Sequence, residues 1–379
     1  MLRKLTLWVA LPLGLAATAL STPTRQDAPG APRSELERVL ETLAAGDRTA
    51  CEEQGGYWYE GTCWKNFEDE GIPADTIDDA VAEQLEAIRA TGLRWGRTDR
   101  AIDFFMLDFE SEDRVQLIVA FDGYENNLII ECSLADLVGD DSFRADCTWI
   151  IGDLIHGGDD PDYEIGGAGE LTLRGSEELN VEAEGVIEAA TGEDIPVHAT
   201  LNEALMGAGS SKLEVRGEEA LLSGTLGTVS YDQFKRLVRE HPEVTTVTLL
   251  DCPGSVNDAV NMHTGRLLRE AGLTTRVLAD SVIASGAVDL FCMGKERVVT
   301  RGAQLGVHSW SAGPFTAADL PQNHPAHQYQ LAYFRRALGA EVGAEFYFFT
   351  LTSAPFDGVH FMSEEQLLRY GVATELVDG

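Results

Sequence analysis

One serine, one histidine and two glycine turns carry the chemistry that this sequence offers. Ser285 stands in Ala284-Ser285-Gly286-Ala287, where small neighbours let a strand bend sharply into a helix and expose a hydroxyl. The Gly286 amide then points outward at a helix start, where orphan N–H groups and the helix dipole favour negative charge. Pro253-Gly254-Ser255 makes a second tight turn at a strand end, with free amides of its own. Two such turns side by side form an oxyanion hole. His308, after Leu305-Gly306-Val307, has the chemistry to take the Ser285 proton as general base. Each residue alone also has a structural reading: Ser285 as a small packing residue, His308 as a satisfied core histidine.

The elements that must position these groups follow from the pattern around them. Val244–Leu250 is a short β-branched run closed by Asp251-Cys252-Pro253-Gly254, which predicts a buried strand. Val260, Leu267 and Leu268 recur at helical spacing up to Gly272, a C-terminal stop. Leu273–Leu278 is a second strand, Ala284–Ala287 opens an apolar helix ending near Gly294, and Leu305–Val307 is a third strand. Strand and helix in alternation imply right-handed crossovers and a mostly parallel sheet.

At these residues the chain resembles the ClpP/crotonase superfamily, and within it the ClpP-type serine peptidases and their periplasmic relatives. The likeness rests on Cys252-Pro253-Gly254-Ser255, Ala284-Ser285-Gly286, Gly306-Val307-His308 and a closing helix from Phe361-Met362-Ser363 to Tyr370-Gly371-Val372. It covers about the last 170 residues. It implies an α/β fold with a ClpP/crotonase-like parallel-sheet C-terminal domain, Ser285 as nucleophile, His308 as base, and an oxyanion hole from the amide of Gly254 or Ser255 together with that of Gly286. It also implies a homo-oligomer. The family's paired glycine is Gly254-Ser255 here. Alignment on Phe361-Met362-Ser363 puts Val359 at the triad-acid position and Asp357 two residues earlier, so a loop shift is needed to bring Asp357 to His308. Signal peptide peptidases of the superfamily use a Ser-Lys pair, but Lys295 sits in the polar turn Gly294-Lys295-Glu296-Arg297, which suits a surface role.

The rest of the chain sets the context. A length of 379 residues suggests two domains, and a net charge of −35 argues against nucleic acid or an anionic membrane surface as partner. Residues 1–19 read as a signal peptide: Arg3 and Lys4, an apolar core from Leu5 to Ala16, then Ala17-Thr18-Ala19. That core is too short for a stable membrane span. The chain is expected to be periplasmic or secreted. Residues 20–50 form a linker with a short helix at Ser34–Ala45, followed by a β-rich domain over 51–206 and the ClpP/crotonase-like domain over 207–379.

Six cysteines fit an oxidising compartment. Cys51 and Cys63 flank a Gly- and aromatic-rich loop, and Cys132 and Cys147 fall in two β-like runs. The expected disulfides are Cys51–Cys63 and Cys132–Cys147, against free buried thiols as the alternative, with Cys252 and Cys292 reduced. Asp75–Thr91 reads as a helix with Ala80, Val81, Leu85 and Ile88 on one face. From Ile102 to Leu201, short β runs separated by turns predict an antiparallel sandwich or partial barrel. Ser230–His241 reads as a helix capped by Ser230, and Gln328–Leu338 as another. The acidic run Gly157–Asp162 lacks a Ca²⁺-loop pattern. His324 and His327 have His-x-x-His spacing, broken by Pro325 and without a third ligand. Trp310 and Phe315 are candidates to line a groove, and Phe346–Phe349 a core or subunit interface.

No metal or cofactor is implied. The function expected is an exported serine hydrolase, peptidase or amidase, acting on a peptide or protein. The alternative is a catalytically inactive scaffold binding a peptide or envelope partner. Acyl-CoA chemistry fits poorly, for lack of a basic cluster to hold the phosphates.

Overall fold

The computed structural model describes residues 56–59, 62–65, 75–111, 114–121, 126–133, 142–152, 167–175, 179–189, 191–312 and 315–379, which form a mixed α/β structure. The expected leader, the helix at Ser34–Ala45, Cys51 with its bridge to Cys63, and the acidic run Gly157–Asp162 lie outside the described residues. Strands β1 (Gly56–Tyr59) and β2 (Thr62–Lys65) pair as a hairpin. Helix α1 (Ile77–Arg89) starts after Thr76 rather than Asp75. Its residues Ile77, Val81 and Leu85 pack on Tyr231 and Val260, while Ala80 leaves the apolar face and turns toward a cavity.

Nine strands follow: β3 (Gly92–Trp95), β4 (Thr98–Arg100), β5 (Ile102–Ser111), β6 (Arg114–Phe121), β7 (Asn126–Ser133), β8 (Ser142–Gly152), β9 (Ala168–Gly175), β10 (Leu179–Glu188) and β11 (Asp194–Asn202). They make one antiparallel sheet in the order β4-β3-β11-β10-β9-β8-β7-β6-β5. The two edge strands, β4 and β5, are joined through Ala101 alone, and a residue spans at most about 3.6 Å. The edges therefore meet at that corner. Trp95 of β3 stacks on Phe121 of β6 with centroids 6.1 Å apart, bridging the same gap. The sheet is a partial barrel, not a two-sheet sandwich.

Phe105, Leu117, Leu128 and Ile130 fill its interior, each contributing about 1.5–3 kcal/mol by burial. Trp149 fits beside them because Gly169 leaves it room: a Cβ there would lie 2.4 Å from the indole. Cys132 and Cys147 are register partners on β7 and β8 and form a disulfide.

A 3₁₀ turn, Glu203–Gly207, leads into β12 (Lys212–Arg216), β13 (Glu219–Ser223), α2 (Thr228–Glu240), β14 (Thr246–Leu249), α3 (Asp258–Glu270), β15 (Thr274–Val277) and β16 (Val282–Ala284). Then come α4 (Gly286–Cys292), β17 (Arg297–Thr300), β18 (Gln304–Val307), β19 (Ser311–Ala312) and β20 (Phe315–Thr316). The chain closes with α5 (Gln328–Leu338), α6 (Ala340–Ser353), β21 (His360–Phe361), α7 (Glu364–Arg369) and β22 (Glu375–Val377).

Strands β12-β13-β14-β15-β17-β22 make a sheet that is parallel from β13 onward. Strands β16, β18 and β21 leave it to form a separate small sheet, a split that alternation alone does not reveal. Ser230 is not the cap of α2. It lies inside the first turn, where its hydroxyl accepts the Gly227 N–H at 3.0 Å. Phe234, Phe291, Phe346 and Tyr347 are fully buried between these layers. Cys252 and Cys292 are buried free thiols, and burial pushes the Cys252 thiol up to about 12.

Candidate active site

Strand register brings the serine and the histidine to one place. Strands β16 and β18 run parallel with Ala284 opposite Gly306, and parallel neighbours lie about 4.8 Å apart. Ser285 therefore leaves its strand opposite Val307, and His308 follows one residue later. The Ser285 N–H donates to the Gly306 carbonyl at 2.9 Å, so this pairing runs to the last residue before the helix. To enter α4 at once, Ser285 adopts φ 51° and ψ −130°, the only non-glycine positive φ among the described residues. Such a conformation costs roughly 1–3 kcal/mol and persists only where its surroundings over-determine it.

Those surroundings are the Pro253-Gly254-Ser255 turn. A Cβ on Gly286 would lie 2.5 Å from Ser255 Cβ, and one on Gly254 would lie 3.1 Å from Ser285 Cβ, so the two turns touch backbone to backbone. Asn261 Nδ2 donates to the Gly286 carbonyl at 2.8 Å and holds the elbow from behind. The Gly254 carbonyl accepts from Leu226 N–H and the Val256 N–H donates to Leu226, both on one side of the turn. The Ser255 N–H between them faces the other way, 3.1 Å from where a Gly286 Cβ would be.

His308 Nδ1 is 2.8 Å from the Ser309 carbonyl oxygen. A carbonyl only accepts, so Nδ1 carries a proton, and in the neutral ring the lone pair then falls on Nε2. The Phe356 ring meets the imidazole edge-on at 5.9 Å. Strand β21 pairs with β18 so that Phe361 opposes Gly306 and His360 opposes Val307, and Val359 Cγ2 lies 2.6 Å from where a Gly306 Cβ would be. An apolar side chain thus covers the strand two residues before the imidazole. Asp357 is exposed two residues beyond, with no hydrogen bond to His308 among those of the described residues.

The carboxylate in electrostatic reach of His308 is Asp258, the first residue of α3. Its side chain is open to the cavity, with protein packed closely around it. That surrounding protein raises its pKa, opposed by a hydrogen bond from Ser255 and by the field of His308.

Ser285, His308 and Asp258 share a cavity of about 680 Å³. One wall is the face of α1 carrying Ala80, Glu83, Gln84 and Ala87, the i, i+3, i+4, i+7 stripe of a helix. This wall is tied to the site. Thr228 Oγ1 donates to Gln84 Oε1 at 2.7 Å, and Asn257 Nδ2 donates to Thr228 Oγ1 at 3.1 Å and to Gln84 Oε1 at 3.3 Å. At the outer end, Asp78 pairs with Lys235 at 2.7 Å and accepts from the Tyr231 hydroxyl at 2.8 Å; both interactions hold its carboxyl below the usual range. Trp310 lines the same cavity and donates its Nε1–H to Tyr347 at 3.1 Å.

Asp258, Gln84 and Asn257 are site residues that sequence reasoning passed over. The one available signal was an acid three residues after the Pro253-Gly254-Ser255 turn, which also suits an ordinary helix N-terminus.

Other candidates lie elsewhere. Lys295 is exposed in a turn. His324 caps a short 3₁₀ turn by accepting the Ala326 N–H, and His327 Nδ1 lies 2.8 Å from the Tyr347 hydroxyl; both rings are buried. No group of three or more potential metal ligands occurs among the described residues. No helix among them is long and apolar enough to cross a membrane.

No protein-family model and no curated protein matches the chain. Solved structures similar to part of it include a mutant of a membrane-bound stomatin-specific protease, 1510-N, in complex with a substrate peptide. That similarity has 20% identity, covers 41% of this chain and 73% of the protease, and has a TM-score of 0.31. An enoyl-CoA hydratase from Bacillus anthracis is similar at 11% identity, over 45% of this chain and 70% of that one, with a TM-score of 0.31. An enoyl-CoA hydratase/carnithine racemase from Magnetospirillum magneticum is similar at 14% identity, over 45% and 70%, with a TM-score of 0.32.

Proposed function

We propose that the chain is a serine hydrolase with a ClpP/crotonase-like C-terminal domain over 207–379, cleaving peptide or amide bonds. The observation that carries this is the strained Ser285 elbow held one residue out of register from His308 on paired strands. His308 Nε2 takes the Ser285 Oγ proton as the oxygen attacks the carbonyl carbon. The carbonyl oxygen gains the negative charge and meets the amides of Ser255 and Gly286, each worth roughly 3–4 kcal/mol in such a role. His308 then returns the proton to the leaving amine, the C–N bond breaks, and water releases the acyl group by the same route in reverse.

The orienting partner of His308 in this reading is the Ser309 carbonyl rather than Asp357, with the Asp258 carboxyl nearby. Export is part of the proposal, supported by the leader-like residues 1–19 and the Cys132–Cys147 bridge. So is a homo-oligomer built through the α/β unit. One observation favours a second reading, an inactive peptide-binding scaffold: among the described residues His308 Nδ1 meets the Ser309 carbonyl and no carboxylate, with Asp357 exposed.

A fluorophosphonate distinguishes the two. Labelling of the wild type that is lost in both Ser285→Ala and His308→Ala supports the hydrolase. No labelling of a folded wild type sinks it in favour of the scaffold.

A further inference from the structure

The cavity over Ser285 has a sign, and because the following names a substrate for that cavity it rests on the hydrolase reading. Three carboxylates line it, from three separate elements: Glu83 of α1, Glu203 of the 3₁₀ turn after β11, and Asp258 of α3. Among the described residues no Lys or Arg lines it. The side chains of Glu83 and Glu203 take no hydrogen bond or ion pair among the described residues, in contrast to Asp78 one turn earlier on α1.

These two carboxylates stand on fixed backbone. Glu83 is next to Gln84, which the bonds to Thr228 and Asn257 hold in place. Glu203 opens a turn whose cap, Asn202, accepts the Ala204 N–H at 2.8 Å. Charges of one sign in a walled cleft focus the field into it. Trp310 and Phe356 add aromatic faces beside Ser285, suited to the aliphatic stem and charged head of a long basic side chain.

We propose that this site selects a basic peptide, one presenting a Lys or Arg side chain close to the bond that Ser285 attacks. The cation takes the counter-ion role that no side chain of the described protein supplies to Glu83 and Glu203, and an acidic peptide is repelled.

The test uses the full chain as Ser285→Ala, which binds without turnover, and three fluorescent peptides of equal length that are Lys-rich, neutral or Glu-rich. Anisotropy should rank them in that order of affinity. Adding Glu83→Gln and Glu203→Gln together should weaken the Lys-rich peptide by about tenfold, the combined worth of two partly exposed ion pairs, and leave the neutral peptide where it was. Equal binding of the three peptides overturns the proposal. So does a Lys-rich peptide that binds the double variant undiminished, which would locate the attraction on the general acidic surface. So does the absence of any binding.

The wild type's fluorophosphonate labelling is read separately. Labelling without charge preference keeps the hydrolase and discards the basic substrate. Charge preference without labelling keeps a basic-peptide site and discards the hydrolase.

Discussion

Replacing Val359 by Asp probes His308 from the side that no carboxylate occupies. Val359 comes just before the His360–Val307 pair and is half-buried. Its Cγ2 packs over Gly306, at 2.6 Å from where a Cβ would be. Asp has nearly the shape of Val, so its carboxylate would stand over Gly306, two residues from His308, and is expected to compete for Nδ1 with the Ser309 carbonyl now 2.8 Å away. A hydrogen bond to a neutral carbonyl is worth about 0.5–1.5 kcal/mol net, and one to a charged group about 1.5–3 kcal/mol. If that difference of roughly 1–1.5 kcal/mol is felt as positive charge develops on the ring, Ser285 should label about tenfold faster. A carboxylate beside an imidazole also favours the imidazolium, so the pH at which labelling half-develops should move upward. Burying part of a carboxyl should cost about 1–3 kcal/mol of stability. The assay is the second-order fluorophosphonate rate from pH 6 to 9 for wild type, Val359→Asp and the isosteric Val359→Asn. A Val359→Asp rate no faster than that of Val359→Asn at any pH would refute the argument that His308 is oriented through Nδ1 at this place.

Three further outcomes can be checked on the same protein. Gly286→Ala puts a Cβ 2.5 Å from Ser255 Cβ and forces the two turns apart; labelling should fall about 100-fold, as for loss of one oxyanion donor, while the thermal transition stays cooperative. Arg297→Met removes a buried guanidinium that donates to the carbonyls of Gly294, Gly371 and Val372; urea unfolding should show a loss of about 3–5 kcal/mol, only partly recovered by Arg297→Lys. Asp289 is held well above the ordinary carboxylate range by burial and then by the charge of Asp258. The unfolded chain gives up this proton first, so the group's stabilising contribution is full at low pH and is lost as pH rises through the ordinary range toward the folded value. Asp289→Asn should therefore stabilise the fold more at pH 8 than at pH 4, and an equal effect at both would count against it.

Much of the site's scaffold was legible because it follows local rules. Gly272 ends α3 at φ 70°, the left-handed stop that the helical spacing demanded, and α5 runs from Gln328 to Leu338 as the pattern indicates. Ala284-Ser285-Gly286 announced a sharp turn through its small residues alone. What stayed hidden depends on partners far along the chain. Strand β17 begins at Arg297 inside a run that reads as a polar turn, because the carbonyls that satisfy this arginine come from residues on both sides of the strand. The α1 stripe of Ala80, Glu83, Gln84 and Ala87 looks like a solvated helix face until the cavity is seen beyond it. Asp258 reads as an acid favouring a helix start, and only the β16–β18 register reveals His308 nearby.

The bonds from Gln84 to Thr228 and Asn257 span 144 and 173 residues. Contacts between such distant segments form slowly, since a long loop must close before they return any stabilisation. Strands β16 and β18, by contrast, are separated by about twenty residues, so the elbow and its histidine can meet early. The wall of the cavity thus depends on contacts across a far longer stretch of chain than the one that joins the reactive pair. A chain cut between Asn202 and Lys212 would separate Gln84 from both of its partners.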